Sequence, residues 1–124
     1  MSIDTIIDQK AGVILHTVTE RLTMDAIRAA FAAVIADPLY RKDMPAVWDM
    51  RSADAAQMSS EKILKIIDFF KGHQEQRSGH KVAIVASNDL TFGLSRMYEF
   101  RASELNAEIE VFRDFKKAWR WVTT

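Results

Sequence analysis

Cysteine is missing from all 124 residues. That excludes disulfide staples, zinc–thiolate centres and thiol nucleophiles, and makes a reducing cytoplasm the simplest setting. Proline occurs twice and glycine four times, too few for a low-complexity linker or a glycine-rich phosphate loop. Neither sign of charge is in excess, since seventeen Lys and Arg balance seventeen Asp and Glu. The chain lacks the whole-molecule attraction to phosphate of a nucleic-acid binder, so no nucleic-acid partner is expected. Long hydrophobic runs are absent too: the longest, 29–36, is too short to span a bilayer. Asp4 and Asp8 stand where a secretory signal needs a basic flank and an apolar run. The expectation is a soluble, cytoplasmic protein.

What is present suits one folded unit. Hydrophobic residues make up 48% and charged residues 27% of the chain, and at this length roughly two-thirds of the unfolded surface can be buried, so one domain over 1–124 is expected. Segments 2–9 and 13–19 read as an antiparallel hairpin closed by Lys10, Ala11 and Gly12. Thr23 caps a helix whose apolar residues Met24, Ile27, Ala30, Phe31, Val34 and Ile35 form one stripe, ended by Pro38. A short strand follows over 46–50, then a helix with Ile63, Ile66, Ile67 and Phe70 on one face, stopped by Gly72 or Gly79.

From Lys81 onward the alternation repeats twice. VAIVAS runs into the capping pair Asn88 and Asp89, and a third stripe of Leu90, Leu94, Met97 and Tyr98 is expected. EIEVFR runs into Asp114, and Phe115, Ala118, Trp119 and Val122 supply the fourth stripe. Strand passing directly into capped helix is parallel α/β wiring. The fold class is α/β, with a mixed, mostly parallel sheet, an N-terminal antiparallel hairpin and four helices; strand order is not readable from the pattern.

The segment 82–122, VAIVASNDLTFGLSRMYEF followed by IEVFRDFKKAWRWV, resembles the SpoIIAA-like family of small bacterial proteins, which share the STAS fold and are grouped with Sec14-type lipid carriers. The resemblance implies a single STAS-like domain and a binding style more than a reaction. In the anti-sigma-factor antagonists of that fold, an Asp-Ser-Ser-Gly motif after the third strand carries a serine that a partner kinase phosphorylates. The corresponding stretch here is Met58-Ser59-Ser60-Glu61, with both serines present and Met58 and Glu61 in place of Asp and Gly. Ser59 and Ser60 are accordingly candidates for regulatory phosphorylation. Glu61 opposes that role by like-charge repulsion, and a plain helix N-cap explains a serine here equally well.

Three further groups are candidates. Ligands of open α/β sheets gather beyond the carboxyl ends of parallel strands, which points to Asp49, Arg51, Asn88 and Asp89, although the same residues serve as caps and as a surface ion pair. Trp48, Met50, Met58, Phe92, Gly93 and Met97 form an apolar supply that could line a cavity for an amphipathic, lipid-like molecule, with ordinary core filling as the alternative. Gly93 belongs to this group because an interior helix glycine often marks a close approach. Lys116, Lys117 and Arg120 with Trp121 make a short basic amphipathic helix for at most peripheral membrane contact, or simply a solvated face.

No spacing joins His16, His73 and His80 into a metal set, and no nucleophile–base–orienter constellation is legible. The expected function is non-enzymatic, without cofactor or metal: a binding or regulatory module for an unknown protein partner or a small amphipathic molecule. A phospho-regulated switch using Ser60 or Ser59 is the alternative. A homodimer through an exposed helix face or an edge strand is also admitted.

Overall fold

The computed structural model describes residues 2–77 and 79–124. The elements run β1 (Ile3–Asp8), β2 (Val13–Val18), α1 (Met24–Ala36), β3 (Ala46–Asp49), α2 (Ser60–Lys71), β4 (His80–Val85), α3 (Asp89–Arg101), β5 (Ala107–Phe112) and α4 (Phe115–Val122). Each helix starts on a short polar side chain that accepts a free first-turn N–H: Thr23 from Ala26, Ser59 from Lys62, Asn88 from Thr91, and Asp114 from Lys116 and Lys117. Helix α1 stops at Ala36 because the residue before Pro38 is pushed out of helical geometry; Asp37 is already extended. The β1–β2 turn depends on Gly12 at φ +70, a left-handed conformation that suits glycine.

The five strands lie in the order β1-β2-β3-β4-β5, with β1 antiparallel to β2 and every later pair parallel. Each strand–helix–strand unit moves one place the same way along the sheet. Right-handed crossovers that all move the same way leave their helices on one side. Helices α1, α2 and α3 therefore share one face, where Ile27, Ala30 and Ile66 meet Val18, Ile84 and Val111. Helix α4 follows the last strand, has no crossover to make, and covers the other face with Ala118 and Val122 against Val13, Val47, Ala83 and Val85.

Three of the four expected stripes face the sheet: Ile27, Ala30 and Val34 on α1, Ile63, Ile66 and Ile67 on α2, and Ala118 and Val122 on α4 are buried. Helix α3 differs. Its buried residues are Thr91 and Ser95, while Leu90 is 56% exposed; Leu94, Met97 and Tyr98 are half-buried. The helix is turned so that short polar side chains lie over the sheet.

Gly93 is exposed on α3, and a Cβ added there would meet nothing within 4 Å. No close approach requires it. Gly93→Ala should therefore stabilise the fold by about 0.5–1 kcal/mol through lost unfolded-state entropy, read as a raised urea midpoint with unchanged slope.

Candidate ligand-binding site

The short side chains on α3 leave a cavity of about 90 Å³ between that helix, α2 and the sheet. Trp48 and Met50 from β3 and its end, and Ile84 from β4, form its floor, Ile63 and Ile66 one wall, and Thr91, Ser95 and Tyr98 the roof. Met58, at the entry to α2, closes one end. Its lining is almost wholly apolar, which suits an apolar guest. Met50 and Met58 are unbranched, so this wall can rearrange about a guest larger than the empty space.

A second cavity, of about 70 Å³, adjoins it toward the amino ends of the parallel strands. The two share Trp48, Phe70, Val82 and Tyr98 as common wall. Here polar side chains join a mostly apolar lining, namely His16, His73, Gln74, Arg77, His80 and Asn106, and among the described residues no Asp or Glu belongs to it. Asn106 is exposed, so this end meets solvent.

His16 is held between strands. Its register partner Trp48 stacks on it with ring centroids 3.9 Å apart, and Nδ1 lies 2.8 Å from the Thr5 hydroxyl. Burial, reinforced by the charge of Arg77, pushes the imidazole down to about 3. His73 sits just past the end of α2, with Nδ1 2.8 Å from the Phe69 carbonyl. Arg77 reaches inward from the α2–β4 connection, and its Nη1 donates to the Met44 carbonyl at 2.8 Å. Burial pulls the guanidinium below its ordinary value; Tyr40 and the Asp43 charge offset that only in part. The Tyr40 ring lies 5.7 Å from the Arg77 carbon, and its hydroxyl donates to the Gln76 carbonyl.

The sequence-based candidates divide accordingly. Trp48, Met50 and Met58 meet in the apolar cavity, whereas Phe92, Gly93 and Met97 are not in its lining. Phe92 lies under Arg113, whose carbon is 4.1 Å from the ring, and Met97 packs with Ile63, Ile67 and Ala102 between α2 and α3. At the carboxyl edge, Asp49 and Arg51 form a two-pronged pair at 2.9 and 2.8 Å, and the guanidinium rests 4.8 Å over Phe115. Burial pushes the Asp49 carboxyl up, and the bonds and charge of Arg51 more than reverse this, leaving it below its ordinary value. Asn88 caps α3, and Asp89 pairs with Arg113 at 3.0 Å.

Ser59 is the α2 cap, accepting from the Lys62 N–H at 3.2 Å, and Ser60 is exposed beside it. Lys116, Lys117 and Arg120 are exposed. Trp121 is half-buried, 5.6 Å from the Phe112 ring, with Lys81 Nζ 5.2 Å above it and bonded to its carbonyl at 3.2 Å. Among the described residues no helix is long and apolar enough to cross a membrane.

Sequence reasoning missed the polar end. His16 is far along the chain from His73 and Arg77, and those two read as favourable charges at a helix C-terminus. One signal was available: a histidine alternating inward with Ile14 and Val18 on β2 is a buried polar group that needs a polar neighbour.

No family model and no curated protein matches the chain. Among solved structures it is similar to a protein of the DUF3478 family from Shewanella loihica PV-4, described as uncharacterized and as having a SpoIIAA-like fold. The TM-score is 0.63 over 97% of this chain and 91% of that one, at 16% identity. The fold is SpoIIAA-like. The expected resemblance therefore holds for the architecture, including the opening hairpin and the mostly parallel sheet of a SpoIIAA-like domain.

His16 carries an acid-sensitivity prediction. The unfolded imidazole binds its proton near pH 6.5 and the folded one only near pH 3. Stability is fully present above the unfolded value and falls by up to about 1.4 kcal/mol per pH unit as pH drops through that window. Urea midpoints measured downward from neutral pH should show this fall above the carboxylate range. His16→Phe, which keeps a ring on Trp48, should flatten it; an unchanged slope in that variant would assign the loss elsewhere.

Proposed function

We propose that the protein is a non-catalytic binding module that takes a small amphipathic molecule between the sheet and helices α1–α3. The observation that carries this reading is that the two cavities adjoin. An apolar space under α3 and a neighbouring space that carries His16, His73, Gln74, Arg77 and Asn106 are both lined by Trp48, Phe70, Val82 and Tyr98. A molecule with an apolar body and a polar head matches that sequence of environments, because each part leaves water for a surface of its own kind.

The alternative use of the carboxyl edge is less supported by the geometry. Asp49, Arg51, Asn88 and Asp89 are engaged with one another, with helix N–H groups or with Arg113. The crevice between β4 and β5, from which α3 and α4 leave to opposite faces, is where a sheet of this kind would bind. Arg113 spans it, donating to the Ser87 carbonyl at 3.1 Å and pairing with Asp89.

Native mass spectrometry of protein purified from its own host should show one added small-molecule mass per chain. Ile84→Phe, which fills the apolar cavity at a cost of about 1–3 kcal/mol, should lose that mass while keeping the circular dichroism of the fold. Protein that carries no added mass and gives no heat on titration with octan-1-ol would refute the reading.

A further inference from the structure

The second cavity is lined by the guanidinium of Arg77, whose charge the described residues offset only in part. Among the described residues no carboxylate lies within ion-pairing distance of Arg77. Asp43, whose field reaches the guanidinium, has a side chain 78% exposed and sits 4.0 Å from Arg41. The cavity lining holds no acidic residue. A guanidinium drawn into a mostly apolar wall costs free energy unless an anion joins it, and the attraction it offers there exceeds that of a surface arginine.

We propose, building on the amphipathic-ligand reading, that Arg77 receives the carboxylate of an aliphatic carboxylic acid whose chain lies in the apolar cavity under α3. The Met44 carbonyl, 2.8 Å from Nη1, holds the guanidinium in place, and its five donors exceed what Met44 and Tyr40 engage. Gln74 lines the same cavity; its Oε1 accepts from the Asn106 backbone N–H at 2.6 Å, so its NH2 is the group left to donate. A single planar guanidinium with neutral amide donors matches a singly charged, planar carboxylate. A phosphate monoester brings nearly twice the charge and a tetrahedral head, and one arginine in about 70 Å³ is a poor match for it.

The test is calorimetric titration of the full chain at neutral pH with octanoate, octan-1-ol and octylammonium, which share a chain and differ in head group. Octanoate should bind at least about tenfold more tightly than octan-1-ol, the usual gain from a charge-assisted hydrogen bond, and octylammonium more weakly than either. Arg77→Gln should bring octanoate to within about twofold of octan-1-ol, and Arg77→Lys should keep part of the preference. Octanoate and octan-1-ol binding equally to the wild-type chain would overturn the carboxylate assignment while leaving the cavity reading intact. An undiminished octanoate preference in folded Arg77→Gln would do the same. If none of the three binds, both readings fall together. Should Arg77→Gln not fold, the head-group series on the wild-type chain decides alone.

Discussion

Everything positioned in this molecule follows from the handedness of its crossovers. Four consecutive strands, β2 to β5, are parallel and adjacent in chain order, so each linking helix must return along the same face to keep a right-handed turn. That face carries three helices and the other carries one. A single layer of three helices has two seams, and the seam between α2 and α3 runs over Trp48, Val82 and Ile84. What α3 presents to that seam decides whether it is filled. With Thr91 and Ser95 there, it is not.

An unfilled seam is a cost, because cavity walls lose dispersion contacts and a larger side chain would recover them. Nearby lie two more costs, a neutral imidazole deep in the sheet and a partly desolvated guanidinium. Elsewhere the chain follows ordinary stabilising rules: four matched N-caps, apolar stripes on three helices, and Val13, Val47 and Val85 fully buried beneath α4. These departures from local rules concentrate in one place, where stability alone does not account for the residues present.

The two ends of the sheet also differ in a way that residue types alone do not express. At the carboxyl end arginines and aspartates are matched: Arg51 with Asp49, Arg113 with Asp89. At the amino end Arg77 has backbone and neutral partners and, beyond them, only the field of the exposed Asp43. Matched surface pairs contribute little to stability or recognition, whereas an unmatched charge beside an apolar cavity provides a strong electrostatic preference. The cavity that holds Arg77 thus lies opposite to the edge where α/β sheets usually bind ligands, and at that edge Arg113 spans the crevice at which the chain leaves the sheet in two directions.

Local chemistry determined the element order, the hairpin, the caps and the inner faces of α1, α2 and α4, because those depend on neighbours within about four residues along the chain: Ser59 or Asp114 caps the turn that follows it wherever the helix later docks. The SpoIIAA-like architecture was legible through the resemblance of segment 82–122 to that family, and the part of the apolar cavity supplied by Trp48, Met50 and Met58 through the apolar residues around β3 and α2. Strand order, the rotation of α3 that exposes Leu90 and buries Thr91, and the meeting of His16, His73 and Arg77 were decided only by tertiary structure. Each of those depends on which surfaces come together across the sheet, and the spacing of residues along a chain carries no direct record of a contact made between its distant parts.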